Sequence, residues 1–211
     1  VDEVLGADYG AEAIVPVQSN SLTFGGIGYN GTDSGLGDIY VGPVVLGWHG
    51  KQWDGVFALG EWFDTGSYSA NKPSSVGLGY KSTMISLGGT WYPDAQKQWS
   101  ASVLSRYEIN SKKRHSDITP GNGLSVEWGV ARQIGGGMQV GLVGYYQEQT
   151  SKGSGTGAND LRPRRNAVGV QFDYPILSHG LFLKFAAYGE TSASDGATKG
   201  SLLRMTVVKA F

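Results

Sequence analysis

The chain has 211 residues, 34 of them glycine and none cysteine, and its formal net charge is −1. The lack of cysteine excludes disulfides, thiolate nucleophiles and thiolate metal sites. The near-neutral charge, without basic residues gathered on one face, argues against nucleic acid as a partner. Only 17% of the residues are charged, against roughly 25% in ordinary soluble domains. No run of apolar residues approaches the ~18 consecutive ones of a membrane helix. Only β-strands could therefore cross a membrane.

Apolar and polar residues alternate with a period of two along most of the chain, and this pattern predicts β-strands. The clearest case is Trp99, Ala101, Val103, Ser105 and Tyr107, which alternate with mostly polar residues. Taken in chain order, the predicted strands are 9–17, 35–48, 51–66, 76–92, 96–110, 123–134, 138–150, 163–176, 180–192 and 199–211.

The connections between these strands alternate between short and long. The short ones are 49–50, 93–95, 135–137 and 177–179, and the long, polar ones are 18–34, 67–75, 111–122, 151–162 and 193–198. Outer-membrane barrels have tight periplasmic turns and longer extracellular loops. The sequence therefore predicts an all-β fold: a closed, antiparallel, up-and-down transmembrane β-barrel that forms a single domain over residues 1–211, in the bacterial outer membrane.

One parity of the strands is expected to face lipid. Its aromatic residues lie near strand ends and predict two girdles at the membrane surfaces: Trp91, Trp99, Tyr174 and Phe211 beside the short turns, Tyr107 and Tyr146 toward the long loops. Charges on this parity also lie near strand ends, where they cost little. The expected partners are outer-membrane lipid and lipopolysaccharide, and the outer-membrane assembly machinery through the terminal Phe211.

The other parity is expected to line the lumen. Its polar members are Arg106, Glu108, Glu127, Gln147, Arg165, Asp173, Lys184, Glu190 and Arg204. Its apolar and aromatic members are Met84, Leu104, Val143, Tyr145, Phe182 and Tyr188. The charges either pair across the wall and brace it or tune a pore. The apolar groups either fill a narrow interior or favour the passage of apolar solutes.

Catalysis and cofactor binding are not expected. His49 and His179 fall in short turns and His115 in a long loop, so none is placed beside a strand-borne serine. The histidine spacing does not match a metal site. The basic run 112–115 is interpreted as a solvated loop, with contact to cell-surface phosphates as the alternative. The glycine-rich stretch 25–31 lacks the ending of a phosphate-binding loop and is interpreted as a flexible loop.

Residues 34–49, SGLGDIYVGPVVLGWH, resemble a signature of the outer-membrane channel family associated with the meta-pathway of phenol degradation. Residues 4–17, 141–150 and 207–211 resemble further parts of that family, whereas 61–66 depart from its usual Pro-Thr-Gly ending. The resemblance implies a twelve-stranded barrel that passes small, hydrophobic or aromatic solutes and binds no cofactor. It also implies that strands precede residue 1, so that ten of twelve are seen here.

Three functional hypotheses follow. The first is a diffusion channel for small, mostly apolar molecules. The second is a non-conducting structural or adhesive barrel that acts through its extracellular loops and whose interior is crossed by Arg–Glu pairs. The third is a soluble, secreted β-sandwich or lectin.

Overall fold

The computed structural model describes residues 3–210, and nearly all of its regular structure is β. None of its helices is long and apolar enough to span a membrane. The only helices in this range are two three-residue turns, Gly25–Ile27 and Leu177–His179. The strands are β1 (Glu3–Val4), β2 (Ala7–Ile14), β3 (Val17–Phe24), β4 (Tyr29–Leu36), β5 (Ile39–His49), β6 (Trp53–Phe63), β7 (Ser82–Trp91), β8 (Trp99–Asn110), β9 (Gly123–Gly135), β10 (Met138–Gln149), β11 (Arg164–Ile176), β12 (Leu181–Ser194) and β13 (Ser201–Lys209).

Eleven strands form one antiparallel sheet in the order β1-β2-β5-β6-β7-β8-β9-β10-β11-β12-β13. From β5 onward every strand pairs with the next one in sequence, as predicted for an up-and-down arrangement. Within residues 3–210, β13 is not hydrogen-bonded to β1 or β2, so the sheet is open where a closed barrel was predicted. The strand at one edge, β1, has only two residues (Glu3–Val4) and cannot pair along the nine residues of β13.

The predicted loop 18–34 is wrong, because β3 and β4 form a regular antiparallel hairpin there. The predicted strand 9–17 is likewise two strands, since β2 ends at Ile14 and β3 starts at Val17. Alternation does not reveal the hairpin, because the residues of β3 and β4 are mostly polar on both faces. Side chains hold it against the segment that follows β6: Asn20 Nδ2 donates to the Ser75 carbonyl (3.1 Å), and Lys72 Nζ lies 2.8 Å from Asp33.

The connection between β6 and β7, residues 64–81, is a packed loop. The predicted strand 76–92 starts only at Ser82, because Val76 is buried within this loop instead of pairing in the sheet. The buried carboxylate of Asp38 accepts hydrogen bonds from the backbone N–H groups of Gly66 (2.9 Å) and Leu78 (2.7 Å). One side chain thus fixes both ends of the loop.

The sheet is strongly curved. Arg204 on β13 lies 3.4 Å from Glu127 on β9, although three strands separate them in the sheet. In a flat sheet two such strands would be about 19 Å apart, since neighbours are spaced by ~4.8 Å. The sheet therefore curls around a concave face, which brings these side chains together.

The convex face is apolar and exposed along the middle of the strands. Leu142 is 59% exposed and Leu203 is 82% exposed. Trp91 and Trp99 are exposed beside a short turn, where the guanidinium of Arg132 lies 5.3 Å from the Trp99 ring centre. Leu142 is opposite Val170 on β11, which is also exposed, so apolar side chains of neighbouring strands lie next to each other on this face. The predicted role of Phe211 in assembly concerns a residue outside the described range.

Candidate functional site

All of the predicted lumen residues lie on one face of the sheet. In antiparallel pairs, residues directly opposite each other point to the same side. Glu127 is opposite both Leu104 on β8 and Tyr145 on β10. The same relation links the other strands through the pairs Met84–Glu108, Gln147–Arg165, Asp173–Lys184, Ala167–Glu190, Tyr188–Leu202 and Ala186–Arg204. Because Glu127 contacts Arg204 across the curl, this shared face is the concave one.

A charged cluster lies near the middle of the concave face. Arg106 Nη1 donates to one oxygen of Glu127, and Arg204 Nη1 lies 3.4 Å from the other. Arg204 Nη2 also donates to the hydroxyl of Tyr188 (2.9 Å), and its guanidinium carbon lies 5.5 Å from the centre of that ring. One carboxylate is therefore shared by two guanidinium groups from different parts of the sheet.

A second cluster lies toward the long loops. Glu190, whose side chain is only 6% exposed, accepts hydrogen bonds from the Tyr145 hydroxyl (2.9 Å), from Arg165 (3.3 Å) and from the Gly200 N–H (2.6 Å). The rings of Tyr145 and Tyr188 are 5.6 Å apart, centre to centre. The two tyrosines thus connect the second cluster to the first.

Two cavities open on the concave face. The upper one, about 630 Å³, extends to Thr198 and Lys199 before β13, and the lower one, about 550 Å³, extends to His49 and Asp54 beside a short turn. Of the predicted lumen residues, the upper cavity is lined by Met84, Arg106, Glu108, Glu127, Tyr145, Gln147, Arg165, Tyr188, Glu190 and Arg204. The lower one is lined by Leu104, Glu127, Val143, Asp173, Lys184, Tyr188 and Arg204.

Phe182 lines neither of these two cavities. It shares the concave face but lies near the short-turn end of β12, opposite Val208, and is 37% exposed. Asp173 and Lys184 are opposite each other but only loosely paired, at 3.9 Å. That the fifteen predicted residues line a conducting pore stays a prediction.

The sequence analysis missed several lining residues. Ile14 on β2 and Trp62 on β6 line the upper cavity, and His49 and Asp54 line the lower one. Strands 35–48 and 51–66 are apolar on both parities, so alternation could not assign their faces. The signal that finds Trp62 is its pairing with Tyr40, which is in turn opposite Ile14.

The motif residues on β5 have a structural role. Tyr40 is completely buried, and its ring centre lies 5.1 Å from that of Trp62. A Cβ added to Gly60 would lie 2.5 Å from the Tyr40 hydroxyl, and one added to Gly42 would lie 3.0 Å from it. The tyrosine therefore needs glycine at both positions to lie flat against the sheet wall.

The basic run 112–115 was predicted to be a solvated loop. Its cations Lys112, Lys113 and Arg114 instead have partners within the chain. Lys112 Nζ contacts Asp117 (2.5 Å), and Arg114 Nε lies 3.1 Å from Asp64. Lys113 Nζ lies within 6 Å of two tyrosine ring centres. The contacts of Lys113 and Arg114 tie the loop 111–122 to the loop 64–81, whereas the Lys112 contact lies within the first loop.

Two of the histidines, His49 and His179, contact nearby side chains. His49 Nδ1 is 2.9 Å from Asp54 and its Nε2 is 3.6 Å from Asp8, while His179 contacts the adjacent Ser178. Among residues 3–210, no group of three His, Cys, Asp or Glu side chains could hold a metal ion.

Comparisons with known proteins agree with this architecture. The model of the family described as "Putative MetA-pathway of phenol degradation" matches residues 1–204. The structure is similar to the crystal structure of an outer membrane channel from Pseudomonas putida F1, with a TM-score of 0.72, 12% identity, and coverage of 84% of this chain and 67% of that chain. A comparison with curated proteins found no match. The chain belongs to the phenol-degradation family that its β5 motif predicted, and it has the fold of an outer membrane channel.

Proposed function

We propose that the protein is an outer membrane channel through which small, mostly hydrophobic or aromatic molecules diffuse. The observation that carries this proposal is the pair of cavities, which together extend along the concave face from the short turns to the long loops. Family and fold also point to a channel rather than an enzyme.

The proposal includes a closed barrel of twelve strands. An open sheet edge in hydrocarbon would leave backbone N–H and C=O groups without partners, at several kcal/mol each. Ile14 near one edge and Leu202 at the other line the same cavity, so the curl already brings the two edges around one space. In this arrangement the convex face contacts lipid and lipopolysaccharide, and Phe211 is the proposed recognition point for the assembly machinery.

The lining of the upper cavity supports the proposed solutes. Ile14, Trp62 and Met84 present apolar surface, and Tyr145 and Tyr188 present aromatic rings next to charged groups. Sites for small organic molecules combine apolar and aromatic side chains with polar groups that fix the orientation of the ligand. A small aromatic ring can pack against Ile14, Trp62 and Met84.

A second candidate is a non-conducting barrel that acts through its extracellular loops. The observation that favours it is the Glu127–Arg204 pair, which crosses the interior. Against it, cavities of several hundred Å³ lie on both sides of this pair. We therefore prefer the channel.

Liposome permeability tests the proposal. The purified protein is reconstituted, and the entry of small aromatic solutes is compared with that of sugars of similar size. We expect faster entry of the aromatics, slowed in Tyr145→Asp and unchanged in Tyr146→Phe, whose side chain lies on the opposite face of the same strand. No flux of either class would overturn the channel in favour of the non-conducting barrel.

A further inference from the structure

We propose that Glu127, together with Arg106 and Arg204, forms the constriction of the pathway and makes it selective for anionic over cationic solutes. This inference rests on the proposed channel function. It deepens that function by naming a charge class: small aromatic molecules that carry a negative group.

The position of the cluster supports a constriction. Glu127, Tyr188 and Arg204 line both cavities, and no other residue is shared between the two linings. They therefore form the boundary between the upper and the lower space. Because Glu127 is on β9 and Arg204 on β13, their contact spans the concave face rather than following one wall.

The charge of the cluster supports the selectivity. One carboxylate faces two guanidinium groups, so the boundary carries one excess positive charge. All three side chains are accessible to solvent, with exposed fractions of 32% for Arg106, 36% for Glu127 and 42% for Arg204. A charge at a narrow, water-accessible point attracts ions of opposite sign and repels those of like sign.

The geometry also allows an anionic solute to pass between Glu127 and Arg204. The Glu127–Arg204 contact is long, 3.4 Å, whereas Arg204 is held at 2.9 Å by the Tyr188 hydroxyl. A solute carboxylate or sulfonate can replace Glu127 on Arg204 while Tyr188 keeps the guanidinium in place. A cationic solute is repelled by the Arg204 guanidinium. It gains no ion pair with Glu127 in return, because Arg106 already occupies the other oxygen of that carboxylate.

Single-channel recordings in planar bilayers provide the first test, with conductance and reversal potential measured in a salt gradient. For Glu127→Gln we expect a several-fold higher conductance and a stronger anion preference, because both arginines lose their counter-charge. For Arg204→Gln we expect a higher conductance and loss of the anion preference, because the remaining Arg106–Glu127 pair is neutral. Glu148→Gln removes a carboxylate from outside both cavities and should match the native protein in both quantities.

Cysteine labelling provides a second test, since the native chain contains no cysteine. Gln139 lines the lower cavity and Gln147 the upper one, and both lie on the concave face of β10. In proteoliposomes, an anionic thiol reagent added on the long-loop side should label Gln147→Cys faster than Gln139→Cys. Adding Glu127→Gln should reduce this difference.

The outcomes separate the two proposals. A native protein that conducts, with unchanged conductance and selectivity in both cluster variants, would overturn the constriction and leave the channel intact. Permeation of benzyltrimethylammonium faster than benzenesulfonate through the native protein would overturn the selectivity. A lack of any flux through the native protein and both variants would overturn the channel itself.

Discussion

Asp38 and Glu127 are carboxylates with opposite roles. Asp38 is buried, accepts two backbone N–H groups and fixes a loop. Glu127 is accessible to solvent and shares its oxygens between two arginines on the concave face. The sequence indicated both residues, Asp38 as part of a motif and Glu127 through strand parity. Their roles could not be predicted, because they depend on which strands the curl brings together.

The carboxylate of Asp117 links two long loops. It accepts hydrogen bonds from Lys112 and from the backbone N–H and hydroxyl of Thr156, and these contacts lower the pKa of Asp117 to about 2. A lowered pKa stabilises the folded state above the unfolded value of about 4, and this stabilisation is lost as the pH falls toward the folded value. We expect the Thr156 amide to lose protection against hydrogen exchange as the pH falls through that window.

Two measurements check this expectation. NMR titration of the Asp117 carboxyl carbon should show a midpoint near pH 2, and in Asp117→Asn the exchange of Thr156 should be fast at every pH after correction for intrinsic rates. An Asp117 midpoint near pH 4 would show that the contacts do not stabilise its charged form.

The loop 64–81 depends on two glycines whose backbones touch. A Cβ added to Gly77 would lie 2.6 Å from the carbonyl carbon and oxygen of Gly66. Because these are backbone atoms, they cannot move aside as a flexible side chain does. We expect Gly77→Ala to lower the free energy of unfolding by about 1–3 kcal/mol, as overpacking does. Urea unfolding in detergent micelles measures this change.

Gly26→Ala is the matched control, since a Cβ there would meet nothing within 4 Å. Equal unfolding midpoints for the two alanine variants would contradict the close approach of Gly66 and Gly77.

At the scale of elements, alternation located β8 to β13 well because one face of each is apolar and the other mostly polar. It failed for β3 and β4, which are polar on both faces. It also placed the start of β7 too early, because the apolar Val76 fits the alternation although it lies in the loop. It also could not assign the faces of β5 and β6, and the lining residue Trp62 was therefore missed. Pairing between strands supplies this information, and a single sequence does not contain it.

At the scale of the whole molecule, the two faces of the sheet should tolerate charge differently. Leu142 is exposed near the middle of β10, and its neighbour Val143 lines the lower cavity. A lysine on the lipid face near the midplane costs ~2–4 kcal/mol, whereas a lumen-facing one meets water. We expect Leu142→Lys to lose this amount in folding assays in liposomes, and Val143→Lys to assemble normally. Similar losses in both variants would contradict the assignment of faces.

The Glu127–Arg204 contact joins residues 77 positions apart in the chain. It can form only after β10 to β13 have paired in turn and the sheet has curled. Contacts between distant residues form late when intervening segments must be ordered first. Arg204→Gln, which leaves the Arg106–Glu127 contact between the adjacent strands β8 and β9 intact, should therefore leave the rate of folding almost unchanged and speed unfolding, since an interaction absent from the transition state affects only the unfolding rate. The contact between Glu127 and Arg204, which we propose as part of the constriction, would then be among the last to form during assembly.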